Sequence, residues 1–319
     1  MRSCLAALIV AASAAVFAQS GTPRTPWGDP DLQGTWTSEA ELSVPFERPR
    51  EYGERRDLTE QEFTARLAQT RQQLDSDNAE FDVATADTRN AGAVGSATSP
   101  PPHWLERGKT SRRTSLVIDP PDGRVPPMTA EAQKRRQGPA GTFAGGQFNN
   151  ANFAGPEDLS LWERCISRGV PSAIFPTVYN ANTRIAQSPG VVAITYEMIH
   201  DTRVIPTDGR PPLASTMRGY VGDSRGRWEG DTLVVEVTHF SDKTNYRGAR
   251  DTLTLIERFT RTRNGLRYEV TVDDPTTWTR RWTAALDMTA QSEGMFEYAC
   301  HEGNNSMRNI LSGARAAER

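Results

Sequence analysis

From residue 184 onward, apolar and polar positions alternate with the two-residue period of half-buried strands. The pattern predicts strands at 184–187, 191–199, 203–205, 217–221, 225–228 and 232–238. Four more follow at 252–261, 266–272, 281–288 and 296–300. Gly190, Asp208-Gly209, Gly222-Asp223, Gly230-Asp231, Asn264-Gly265 and Asp273-Asp274-Pro275 separate them. Asn-Gly between two alternating runs favours a tight hairpin, because such a turn needs positive φ at its central residues. Strands at this spacing, with no long helix between them, predict a mainly β, antiparallel architecture. The expected form is an up-and-down barrel of lipocalin type. Closure removes exposed sheet edges, and a barrel of this size encloses one small molecule. A β-sandwich is the alternative.

Upstream the periodicity is weaker. Residues 28–37 read as a turn entering a short strand at Trp36. Thr59, with Glu62 three residues on, opens a helix as a capping box does. That helix runs to about Leu74 and carries Phe63, Leu67 and Leu74 on one stripe. Residues 114–118 read as a strand, 119–124 as a turn, 129–136 as a short helix and 306–317 as a final amphipathic helix. Residues 75–102 and 137–157 read as loops. Phe143, Phe148 and Phe153 lie in the second, as pins of the loop or as a lid. The expected organisation is a signal peptide at 1–18, an N-terminal extension at 19–113 and a barrel domain at 114–319.

Composition narrows the partners. The 319 residues carry a formal charge of −3. Without a basic excess there is no electrostatic case for nucleic-acid binding. The first 18 residues place Arg2 before an apolar run and end Val16-Phe17-Ala18, the layout of a cleaved signal peptide. The run is too short to span a bilayer, so no stable membrane insertion is expected. The implied location is secreted or periplasmic. Cleavage removes Cys4 and leaves Cys165 and Cys300. In an oxidising compartment two cysteines favour one disulfide, with two buried thiols as the alternative. Closing so long a loop contributes about 4 kcal/mol in the chain-entropy picture.

Candidate chemistry gathers in two polar clusters. On a continuous strand, Tyr196, Met198 and His200 share one face, and Glu197, Ile199, Asp201 and Arg203 the other. The second cluster is Tyr298, Cys300, His301 and Glu302. Imidazoles suit proton transfer near neutral pH. His200 and His301 are therefore the acid/base candidates, oriented by Asp201 and Glu302. Arg203 would neutralise developing negative charge, and Tyr196 or Tyr298 would donate a proton. Bland accounts exist for each: an Asp201–Arg203 rim pair, and histidines capping strand ends. Trp228, Trp278 and Trp282 lie near carboxylates and suit a ring platform for a ligand, or ordinary core packing. Neither HExxH nor CxxC is present, and adjacent residues on a strand point apart, so no metal site is expected. Gly222-Asp223-Ser224-Arg225-Gly226 spells a nucleophile elbow, but a strand follows it where the elbow needs a helix. It reads as a tight turn.

The segments Asp29-Pro30-Asp31-Leu32-Gln33-Gly34-Thr35-Trp36, Asp223 to Val235 and Tyr298-Ala299-Cys300-His301-Glu302-Gly303-Asn304 resemble a family of exported bacterial proteins of unassigned function. The resemblance spans nearly all the mature chain and implies export. It transfers no catalytic residue. The functional expectation is an exported enzyme performing cofactor-free acid/base chemistry on a small sugar-like or aromatic molecule. A periplasmic small-molecule carrier is the alternative.

Overall fold

The computed structural model describes residues 22–77, 109–136, 153–244 and 246–318. The signal-peptide expectation at 1–18 lies outside these residues. So do most of the two expected loops and the Phe143 and Phe148 of the expected lid.

Ten strands form one sheet. They are β1 (Gly34–Thr37), β2 (Val117–Asp119), β3 (Asn182–Ser188), β4 (Val191–Tyr196) and β5 (Thr202–Pro206). Then come β6 (Asp223–Glu229), β7 (Thr232–Thr238), β8 (Thr254–Arg261), β9 (Gly265–Asp273) and β10 (Trp282–Ala290). The order around the sheet is β5-β4-β3-β1-β10-β9-β8-β7-β6, with β2 pairing β10 off this path. Every neighbouring pair is antiparallel. One continuous path, curled until its ends approach, is an up-and-down barrel and not a sandwich. Among the described residues three α-helices accompany it: α1 (Glu60–Asp77), α2 (Ala130–Arg136) and α3 (Ser306–Ala317).

Alternation sorts the side chains. Val192, Ile194 and Tyr196 of β4, Leu255, Glu257 and Phe259 of β8, and Leu266, Tyr268, Val270 and Val272 of β9 are all buried. Trp282 is fully buried against Phe46, Tyr246 and Trp278, with ring centroids 5.8, 6.3 and 5.6 Å away. Tight turns join β3 to β4, β6 to β7 and β8 to β9 at one end, the hairpin end. Gly230 turns the second with φ of 61°. Longer links, 197–201, 239–253 and 274–281, lie at the other, the loop end.

Along this path the strand directions alternate, so with an odd count β5 and β6 run the same way. No ladder joins them among the described residues. Their approach is close nonetheless: a Cβ on Gly226 would stand 2.9 Å from Ile205 Cγ2 and 2.8 Å from Thr207 Cγ2. Parallel strands need a connection that returns the length of the barrel. Residues 207–222 do this along the seam. Asp223 Oδ2 accepts from Leu213 N at 3.0 Å, and Arg225 Nε donates to Pro211 O at 3.0 Å.

Several sequence expectations need correction. Residues 217–221 form only an isolated bridge, Gly219 with Phe240, because they belong to this return segment. Residues 296–300 are irregular: Phe296 N donates to the Glu197 carboxylate at 2.8 Å instead of to a strand. The strand expected at 191–199 ends at Tyr196, because the chain turns at 198–200 and β5 begins at Thr202. Ser224 lies within β6, so only Gly222 of the elbow-like motif serves as a turn residue. The 19–113 segment is not simply an extension, since β1 sits inside the barrel between β10 and β3. The capping box does form, with Thr59 N donating to Glu62 Oε2 at 2.8 Å and Glu62 N to Thr59 Oγ1 at 3.3 Å.

Seam contact predicts the cost of filling it. Gly226→Val should lower unfolding free energy by about 1–3 kcal/mol, the usual range for overpacking. Urea denaturation measures this; a substitution without cost would mean that the β5–β6 seam is open.

Candidate functional site

At the loop end, the link between β4 and β5 is a single turn of 3-10 helix, Met198–His200. Ile199 and His200 adopt φ of 68° and 45°. A β-branched residue there is strained, and such outliers concentrate at functional turns. The hairpin reverses the chain, so Thr195 faces Thr202 and both Tyr196 and Arg203 point inward. Continuous-strand reasoning put them on opposite faces.

Inside, Arg203 meets Glu257 of β8 through both forks, Nη1 to Oε2 at 2.5 Å and Nη2 to Oε1 at 3.2 Å. Tyr268 of β9 donates its hydroxyl to Glu257 Oε1 at 2.8 Å. Burial alone would lower the Arg203 pKa, but Glu257 and the Tyr196 phenol outweigh it and hold the guanidinium above its ordinary value. Burial, with the nearby Glu257 charge, also raises the phenols of Tyr268 and Tyr196. Arg203 Nε, Tyr196 Oη, Thr183 Oγ1 and Ser224 Oγ are buried without a hydrogen-bond partner. All four lie on inward faces of β3 to β6, beside the seam.

Outside this cluster lies a ledge built from irregular segments. The Cys165–Cys300 disulfide joins them, with the two Cα atoms 5.8 Å apart. His200 is exposed, and its Nδ1 lies 3.2 Å from the backbone oxygen of Tyr298. Tyr298 lies parallel to Tyr179, centroids 6.5 Å apart. Ser167 Oγ donates to Asp201 Oδ2 at 2.6 Å. Glu197, fully buried, ties the turn down: Oε2 accepts from Asn182 Nδ2 at 2.7 Å, and Oε1 from Phe296 N. Burial, reinforced by Tyr298, pushes the Tyr179 phenol up to about 12.

The expected site is therefore only partly assembled. His200, Asp201 and Tyr298 come together on the ledge. Arg203 and Tyr196 lie beneath it, with the Arg203 charge engaged by Glu257. His301 and Glu302 are exposed, with no side-chain partner among the described residues. Among these residues, no three His, Cys, Asp or Glu side chains converge on a metal position. Trp278 and Trp282 are buried core residues, not exposed ring platforms. Trp228 is half-buried beside the Gly230 turn, at the hairpin end and away from His200. Sequence reasoning missed Glu257, Glu197, Ser167 and Arg168. Glu257 carried a signal, an acidic residue at an inward position of an alternating strand. No known family, curated protein or solved structure matches the chain.

Two outcomes follow. Arg203→Met should cost about 3–5 kcal/mol because Glu257 is left buried without its counter-charge. Adding Glu257→Gln, which keeps an acceptor for Tyr268, should restore most of that loss in a denaturation cycle. Replacing Cys165 and Cys300 together by Ala should speed amide exchange at 162–169 and 296–302 while β7 to β10 stay protected. Uniform acceleration would show that the bridge supports the barrel and not the ledge.

Proposed function

We propose that the protein is exported and performs acid/base chemistry on a small molecule at the loop end of the barrel, with His200 as the proton-transferring group. The observation that supports this is the anchoring of His200 Nδ1 on the Tyr298 carbonyl. A carbonyl only accepts, so the neutral ring keeps its proton on Nδ1 and presents Nε2 outward as a base. The left-handed backbone at Ile199 and His200 aims this ring from a turn held by Glu197. Ser167 Oγ donates to Asp201 Oδ2, and the scheme rests on the Tyr298 carbonyl to orient the imidazole. Tyr298, whose backbone oxygen anchors the ring, supplies the proton donor of the scheme through its phenol. Export is supported by the N-terminal sequence and the resemblance it shares. It also fits the disulfide and the finding that no helix among the described residues is long and apolar enough to cross a membrane.

One observation favours a carrier instead: among the described residues no carboxylate contacts His200, as a fully oriented catalytic pair would require. The two readings separate on one variant. With a substrate found by screening esters, lactones and enolisable ring compounds, His200→Gln should lower kcat about 10²–10⁴-fold, the range for losing a general base. Its Tm should not change. Retained turnover would remove His200 from the mechanism. Saturable binding without turnover in the parent protein would establish the carrier.

A further inference from the structure

Arg168 lies three residues after Cys165, where the disulfide brings its strand-less segment against Tyr298. Its surroundings are unusual for a cation. Protein encloses the guanidinium on nearly every side, while part of the side chain remains open to solvent. Nη1 is sealed and has no hydrogen-bond partner. No carboxylate pairs with Arg168 among the described residues. The titratable groups that face it are the phenols of Tyr179 and Tyr298. The Trp162 ring lies on a further side, its centroid 5.5 Å from Arg168 Cζ. Burial lowers the Arg168 pKa from its ordinary value, and the two phenols only partly oppose this.

A buried guanidinium without an anion is costly to the fold. Elsewhere in this chain the buried arginines are served: Arg203 by Glu257, and Arg48 by Thr114, Ser115 and the Pro121 carbonyl. Arg168 alone among these three has aromatic walls in place of acceptors. A planar fork suits a carboxylate, and flat aromatic faces suit a ring. The Tyr179 hydroxyl stays protonated far above neutral pH, so it can donate to the same anion.

We propose that Arg168, with Tyr179 and Tyr298, forms a recognition site for a small aromatic carboxylate. The carboxylate meets the guanidinium, and the ring lies against the aromatic side chains. This deepens the reading above by naming a substrate class, and it rests on that reading only for the role of His200. Binding is measured without turnover, so the two fail separately.

The experiment uses the mature disulfide-bonded protein with benzoate and 4-hydroxybenzoate as probes, and with benzamide and inorganic phosphate as controls. Tryptophan fluorescence and thermal shift report binding. The expected result is saturable binding of the aromatic carboxylates at millimolar concentration or below, with benzamide and phosphate at least tenfold weaker. Arg168→Met should abolish the benzoate response, and Arg168→Lys should weaken it, because an ammonium keeps the charge but not the fork. Arg168→Met should also leave Tm unchanged or raise it, since the cation serves a ligand and not the fold. Four outcomes would overturn the proposal. They are no response to either carboxylate, benzamide binding as well as benzoate, phosphate binding more tightly, or a lowered Tm in Arg168→Met, which would mark a structural arginine.

Discussion

The ion pair between Arg203 and Glu257 carries a closure that backbone hydrogen bonding does not complete. Along a chain of antiparallel neighbours, nine strands bring the first and last together in parallel. The antiparallel ladder cannot continue across that junction. Unpaired strand edges are a liability, and barrels normally abolish them. Here the gap is bridged by side chains: Ile205 against Gly226, the return segment along the seam, and Arg203 reaching from β5 to β8 through the interior. Well-packed apolar residues would stabilise the fold as well as this pair does. What the pair adds is direction, because a planar fork satisfies both carboxylate oxygens in one register. Tyr268 fixes the same carboxylate from β9, so three strands share one polar point.

The turn above that pair inherits its position. Tyr196 and Arg203 both point inward only because the chain reverses between them, and the reversal forces Ile199 and His200 into left-handed backbone. Little regular structure holds the outer side of this turn. Glu197 supplies one tether, by accepting from β3 and from the segment before Cys300. The disulfide supplies the other. It joins Arg168 and Ser167, on one side, to Tyr298 on the other, although these segments are separated by 135 residues in the chain. Closing such a loop covalently limits the unfolded chain and fixes two irregular segments against each other. A reacting group needs this kind of support when it stands on loops and not on strands.

Alternation made the barrel legible, because inward and outward positions of β8 and β9 differ sharply in polarity. It misled where polarity ran on through a turn. From Val191 to Arg203 no Gly or Pro interrupts the pattern, and Ile199 occupies a conformation that β-branched residues avoid. Nothing in the residue types announces that turn. The error propagated to the site, placing Tyr196 and Arg203 on opposite faces. Residues 296–300 misled for the opposite reason. They alternate well, but Phe296 N donates to the Glu197 side chain and not to a strand. The tryptophans near carboxylates divided by location: Trp278 and Trp282 fill the core at the loop end, and Trp228 sits at the far end of β6. Arg168 had no pattern of its own. Its signal was indirect, an arginine three residues from one cysteine of an expected pair whose partner follows a tyrosine by two.

A lipocalin-type barrel suggests a ligand within the barrel, and the side chains argue for a different division of labour. Phe46, Phe175, Tyr246, Trp278 and Trp282 pack edge to face and in stacks at the loop end, and Tyr268 and Phe259 continue the packing inward. These rings fill the loop end of the interior, the Arg203 and Glu257 charges engage each other, and His200, Asp201 and Tyr298 stand on the ledge outside. On the proposed function the barrel is the rigid frame, and the irregular segments at its loop end hold the candidate groups, as loops on rigid scaffolds commonly do. On this arrangement the cost of an uncompensated Arg168 falls on segments held by a covalent bond, where the fold can bear it without loosening the sheet.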